Sequence, residues 1–220
     1  MVFRKKAMMS CPVSYQSIPL STPVEDLTFI VFDTETTGFN VGANDRLIEI
    51  GAVCIQGLKV LEEDTFQTYV NPKRQISQEI TQLTSITQEK VETAPKALQA
   101  IEKFFQYVKI REAVSLVGHY VSFDHLVFTN ELKRAKFTLK EMHTLDTLDL
   151  IGYIAPSYDM RDLERYARAF GTRMYDRHSA IGDALTTAFL FTELLHLFRM
   201  RGGNTWGELI QAVSKSSSST

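Results

Sequence analysis

Apolar positions along the chain follow two periods. The four residues Phe29-Ile30-Val31-Phe32 run into Asp33-Thr34-Glu35-Thr36-Thr37-Gly38, as expected of a buried strand ending in a turn. The spacing predicts strands over Leu27–Thr34, over LIEIGAVCIQ and over KVLEEDTFQTYV, the last stopped by Asn71-Pro72. Short links between them imply an antiparallel meander. The period then lengthens. ISQEITQLTSIT reads as a short helix, and Ala94-Pro95 opens a longer one to about Lys109, with proline suited to the first helical position. AVSLVGH is a fourth strand, Ser122–Arg134 a helix, MHTLD a short strand and Thr147–Tyr153 helical. DMRDLERYARAF is a helix stopped by Gly171. The last long helix lies in HSAIGDALTTAFLFTELLHLFRM and ends before Gly202-Gly203. Strands first, then helices alternating with strands, predict one α/β domain: a mixed sheet, part meander and part parallel, with helices on both faces.

The ends break the pattern. Residues 1–25 have no periodicity and carry three prolines, so they are expected to be a tail or loosely docked arm. The domain spans 26–212, and 213–220, with its serine run, is expected to be disordered. A chain of 220 residues suits one sizeable core. The net charge of −2 argues against a strongly basic duplex binder, though not against nucleic acid held through bridging metal ions. No apolar run approaches the ~20 residues that cross a bilayer, and MVFRKKAMMSCPVSYQS lacks the apolar core of a signal peptide. No membrane is expected. Cys11 and Cys54 form neither a disulfide framework nor a zinc pattern, so a cytoplasmic location is expected.

Asp33 and Glu35 are two apart on a strand and so share a face. Two like charges side by side are costly unless a cation neutralises them. Asp124 follows the fourth strand, where it can cap a helix or join those acids. His178 and Asp183 form H-x-x-x-x-D. On one continuous helix five residues turn by about 140°, so both reach one point only if His178 lies in the loop before the helix. Gly182 fits a close backbone approach. Glu49 is either a supporting acid or an ordinary edge residue, and Asp146 caps the helix it opens. His125, His143 and His196 read as structural. Arg161, Arg165 and Arg168 share a helical face, which their acidic neighbours make a solvated face rather than a phosphate track.

D-x-E-T-T-G, an aspartate after LVGH and H-x4-D near the end together resemble the three motifs of DEDDh 3′→5′ exonucleases, the family of the proofreading epsilon subunit of bacterial DNA polymerase III. The resemblance runs from about Leu27 to Met200 and includes RLIEIGAV, YVNP, ITQEKVETAP and LDTLDL. It implies a ribonuclease-H-like five-stranded sheet and two Mg²⁺ or Mn²⁺ ions. Asp33, Glu35, Asp124 and Asp183 match the metal-binding carboxylates, and His178 the general base. On the substrate side it implies Thr36 and Thr37 at the terminal 3′-hydroxyl, together with Phe39, Phe123 and His119. Phe39 is either a base-stacking wedge or a core residue. The chain departs from the family at Tyr120, where asparagine is usual, and at Thr84, where histidine is frequent. The implied activity is removal of nucleoside 5′-monophosphates from single-stranded or frayed 3′ ends, DNA favoured and RNA open, by an enzyme either free-standing or docked on a polymerase. The alternatives are a non-catalytic binding module and a phosphodiesterase for very short oligonucleotides.

Overall fold

The computed structural model describes residues 7–156 and 161–217. Its strands are β1 Ala7–Met9, β2 Thr28–Thr36, β3 Leu47–Gln56, β4 Lys59–Tyr69, β5 Ser115–Gly118, β6 Phe137–Leu139 and β7 Thr144–Asp146. The helices are α1 Gln78–Thr84, α2 Gln88–Glu92, α3 Ala97–Ile110, α4 Ser122–Arg134, α5 Thr147–Ile154, α6 Leu163–Ala169, α7 Ala180–Met200 and α8 Trp206–Ser217. Five strands form one sheet in the order β4-β3-β2-β5-β7, antiparallel across β4-β3-β2 and parallel from β2 to β7. This is the mixed sheet expected, with helices on both faces.

The alternation of β2 organises everything near its end. Phe29 and Val31 enter one core with Leu190, Phe191 and Leu194 of α7 and with Trp206. Ile30 and Phe32 enter the other, with Phe104 of α3 and Phe128 of α4. Carried past the core, the first row becomes Asp33 and Glu35, and the second becomes Thr34. The strand therefore presents acids on the side of α7 and a hydroxyl on the side of α4. β3 is central and almost wholly buried, and its Gly51 lies opposite Asp33. A Cβ at Gly51 would lie 2.2 Å from the Ala180 carbonyl carbon and the Ile181 nitrogen. Only glycine lets the start of α7 descend onto the strand there.

Several boundaries differ from the sequence reading. β2 continues to Thr36. The helix expected to begin at Pro95 begins at Ala97 after Lys96, because the Pro95 carbonyl is taken by the Asn71 N–H. α6 starts at Leu163, where Asp162 accepts from Arg165 N–H at 2.9 Å; residues 157–160 lie outside the described ones. α8 was not foreseen, and it continues through Ser217 into the stretch expected to be disordered. Its driving force is burial of Trp206, Leu209, Ala212 and Val213. A Thr205–Glu208 capping box starts it, with the Glu208 carboxylate accepting from the N–H groups of Asn204 and Thr205.

From Ala7 onward the N-terminal segment is strapped to the domain. β1 pairs in parallel with β6, and Thr22 accepts from the Trp206 N–H at 2.8 Å. The Tyr15 ring stacks on His143 with centroids 3.9 Å apart. α7 is long and apolar enough to cross a membrane by length and composition alone, contrary to the reading of the apolar runs. It is instead the helix that covers β2 and β3.

Candidate active site

Glu35, His178 and Asp183 each offer a donor atom, and these atoms lie within 4.8 Å of one another. Asp33 and Asp124 stand near them. Asp33 feels the charges of Asp124, Asp183 and Glu35. Asp124, in the first turn of α4, accepts from the Thr34 hydroxyl at 2.6 Å. Of the five residues that the motifs singled out, the structure brings donor atoms of Glu35, His178 and Asp183 to one point, and Asp33 and Asp124 act on those acids through their charge.

Two helix entries aim these groups, and they are built alike. Tyr120 precedes α4's cap and His178 precedes α7's; both have left-handed backbones, at φ +59° and +58°. Neither cap residue, Val121 or Ser179, closes its helix with its own side chain. Acids from elsewhere do so. Asp146 accepts from Tyr120 N–H at 3.0 Å and Val121 N–H at 2.8 Å, besides capping α5 through Leu148 N–H. Glu49 accepts from Ala180 N–H at 3.0 Å. His178 sits in the loop, and its N–H reaches Asp183 Oδ2 at 3.2 Å. That loop and the following helix bring the two ends of H-x4-D to one point. The loop is tight: a Cβ on Gly182 would lie 2.0 Å from the Asp176 carbonyl oxygen.

All four carboxylates are held above their ordinary range, and burial is the first cause for each. Repulsion from Asp183, Glu49 and Asp124 adds to burial at Glu35, pushed up to about 8. Asp33 is pushed well up by burial and then by Asp124, Asp183 and Glu35. Asp124 reaches about 7 even though the Thr34 hydroxyl works against the rise. Asp183 is raised less freely, because the Arg177 guanidinium donates to its Oδ1 at 2.5 Å. The Arg177 guanidinium lowers Asp33, Glu35 and Asp183 without offsetting what burial raises. The cluster's donors are oxygens with one imidazole and no thiolate, which suits hard divalent cations such as Mg²⁺ or Mn²⁺.

The residues assigned to the substrate side divide. Phe39 is 88% exposed, which removes the core alternative, and its ring lies 6.0 Å from that of half-buried Phe123. Thr37 has no free donor: its N–H goes to the Arg46 carbonyl and its hydroxyl to Asp45 at 2.9 Å. Through these bonds Thr37 braces the loop. Thr36 is buried, and its hydroxyl donates to the Gly38 carbonyl at 2.7 Å. His119 Nδ1 lies 2.7 Å from Thr147 Oγ1, and the ring sits edge-on to Tyr166. Burial pushes it down to about 4, against the opposing pull of the Arg161 backbone.

Arg177 and Thr34 were missed by the sequence reading. Thr34 could have been found from strand alternation beside Asp33; nothing local marked Arg177. Glu49, left open, is the buried cap described above. Thr84 is buried too, bonded to the Ile80 carbonyl and the Ile86 N–H at the end of α1.

The exonuclease family model RNase_T matches residues 30–191. A DNA polymerase III PolC-type protein of Caldanaerobacter subterraneus subsp. tengcongensis is 35% identical over 181 residues, 82% of this chain and 12% of that protein. A DNA polymerase III subunit epsilon-like protein of Rhodobacter capsulatus is 32% identical over 205 residues, 91% of this chain and 28% of that protein. The chain therefore spans well under a third of the length of either relative. The solved nuclease domain of 3′hExo, a DEDDh family member, bound to rAMP, is similar with a TM-score of 0.67 at 21% identity, over 77% of this chain and 92% of that one. That likeness is one of fold.

Proposed function

The chain belongs to the exonuclease family, and from that premise we propose that it is a two-metal 3′→5′ exonuclease. It hydrolyses phosphodiester bonds at the 3′ end of single-stranded or frayed nucleic acid, DNA in preference to RNA, and releases nucleoside 5′-monophosphates. The observation that carries this reading is the meeting of Glu35, His178 and Asp183 donor atoms within 4.8 Å of one another, with Asp33 and Asp124 near enough for their charges to act on the same acids. Asp33, Glu35, Asp124 and Asp183 would hold two Mg²⁺ or Mn²⁺ ions, which would supply neutralisation of the charge that develops in phosphodiester hydrolysis.

The chain's own residues do the rest. His178, held in the loop by its N–H bond to Asp183, accepts the proton of the attacking water, a task suited to an imidazole near neutral pH. Phe39 and Phe123 offer aromatic faces at the mouth for the terminal base. His119 lines the pocket as a neutral ring and adds no charge to it. The DNA preference, and a setting beside a polymerase or another replication partner, draw support from the two relatives named for DNA polymerase III. A cytoplasmic setting fits two free, buried cysteines.

A panel of 5′-labelled DNA and RNA oligonucleotides, single- and double-stranded, with Mg²⁺ or Mn²⁺, tests the proposal. The expected result is a descending ladder that chelation abolishes and Asp33→Ala lacks. His178→Ala should lose about 10²–10⁴-fold in rate while still binding the oligonucleotide. A ladder that persists with Asp33→Ala, or tight binding without turnover in Mn²⁺, contradicts it. A strong preference for dinucleotides would assign the short-oligonucleotide phosphodiesterase instead.

A further inference from the structure

We infer that Glu49 is a positioning residue for this centre: from the strand beside Glu35 it fixes the start of α7, and so sets where His178 and Asp183 stand. The inference rests on the exonuclease reading above.

Glu49 lies opposite Glu35 in the β2–β3 register and is 1% exposed. A carboxylate sealed beside another carboxylate is unfavourable unless its oxygens are satisfied. Both are. Oε1 accepts from the Gln67 side-chain amide of β4 at 2.6 Å, and Oε2 accepts from the Ala180 N–H at 3.0 Å. Ala180 is the first residue of α7, where main-chain N–H groups lack helical partners and the dipole favours an anion. Ser179 leaves that role open. Two residues along the same row, Gly51 clears the space into which the helix descends. Gly51 thus sets how close the helix comes, and Glu49 sets where its first turn is held.

That turn carries the chemistry at both ends. His178 lies two residues before Ala180, and Asp183 closes the turn through its N–H to the Ser179 carbonyl at 2.8 Å. A shift of Ala180 moves both relative to Glu35, which β2 holds independently. Each oxygen of Glu49 already accepts an N–H, so its part is to hold the helix rather than to join the donor cluster.

The test uses the full chain and two variants, Glu49→Leu and Glu49→Gln. Leucine keeps the bulk but offers the Ala180 N–H no acceptor. Turnover should fall about 10–100-fold with the oligonucleotide KM little changed. The Mn²⁺ concentration giving half the cation-induced rise in Tm should increase in parallel, and the Ala180 amide resonance should move. Glutamine keeps an oxygen for the Ala180 N–H, and its NH₂ bonds the Gln67 side-chain oxygen once that exposed amide turns over. It should retain most of the turnover, the Mn²⁺ response and the Ala180 resonance.

Wild-type turnover and Mn²⁺ response in Glu49→Leu would overturn the inference, as would a Glu49→Gln protein as impaired as Glu49→Leu. If Glu49→Leu does not fold, Gln67→Ala releases one side of Glu49. A smaller fall in the same measurements supports the inference, and unchanged values overturn it. If wild type gives no ladder the exonuclease reading fails, while the Mn²⁺ titration and the Ala180 resonance still judge Glu49.

Discussion

The Thr34 hydroxyl donates to Asp124 Oδ1 at 2.6 Å, joining β2 to α4 on the face opposite Asp33 and Glu35. One strand end thereby aims three carboxylates, two that it carries and one that it holds. The bond also pulls Asp124 down against burial, which still leaves it at about 7. Thr34→Val keeps the shape and deletes the donor. Asp124 should then rise further, and the acidic limb of the pH–rate profile should move upward by on the order of one pH unit. A profile identical to wild type would mean that Asp124 does not control that limb.

The raised carboxylates fix the sign of a pH effect on stability. In the unfolded chain these groups lose their protons near pH 4. In the folded chain without cations, Asp124 keeps its proton to about 7 and Glu35 to about 8. Between those limits the folded state binds more protons, so stability is fully present below pH 4 and is lost as the pH rises toward 8. The contribution of this cluster should lower the Tm of chelated protein by on the order of 10 °C or more from pH 5 to pH 8. Mn²⁺ at a hundred times its dissociation constant should return about 2.7 kcal/mol at pH 8. Thermal melts with and without chelator, compared with Asp33→Ala, isolate the cluster's share.

Tyr120 stands in the left-handed region at φ +59°, a conformation that favours asparagine or glycine over a bulky residue. This gives a physical reason for the asparagine usual in the family: it suits the turn into α4. Asp146 holds Tyr120 in the same conformation through the two amides it accepts. The tyrosine ring is 56% exposed, so little packing is lost on its removal. Tyr120→Asn should raise Tm by about 2–4 °C. A lower Tm would mean that the ring contributes more than the backbone strain costs.

How far the sequence could be read follows the range of each interaction. β3 was legible to the residue, because LIEIGAVCIQ is buried on both faces and bounded by turns. α4 was equally legible between its loop and Arg134. α8 was not. Its apolar face has meaning only once Trp206 finds Phe29 and Tyr15, far away in the chain, and the capping box at Thr205–Glu208 was the local sign overlooked. The five residues of the candidate site were marked by motifs that are local in sequence. Glu49 and Arg177 act across strands or through an ion pair, and their neighbours in sequence say nothing of either.

Phe39 is almost wholly exposed, with the Phe123 ring 6.0 Å away. Phe39→Ala should leave Tm within about 1–2 °C, since an exposed side chain contributes little to the fold. Losing one base-stacking face costs about 1–3 kcal/mol, so the oligonucleotide KM should rise by about 5–150-fold with turnover less affected. A large fall in Tm with unchanged KM would make Phe39 a structural residue.

The proposed exonuclease depends on buried acids that gather divalent cations. Crystals of the full chain soaked in Mn²⁺ and measured at the manganese edge test it directly. Anomalous density for two ions bounded by Asp33, Glu35, Asp124 and Asp183 is the predicted result. Manganese bound elsewhere, with those four carboxylates protonated and holding none at pH 8, would contradict it.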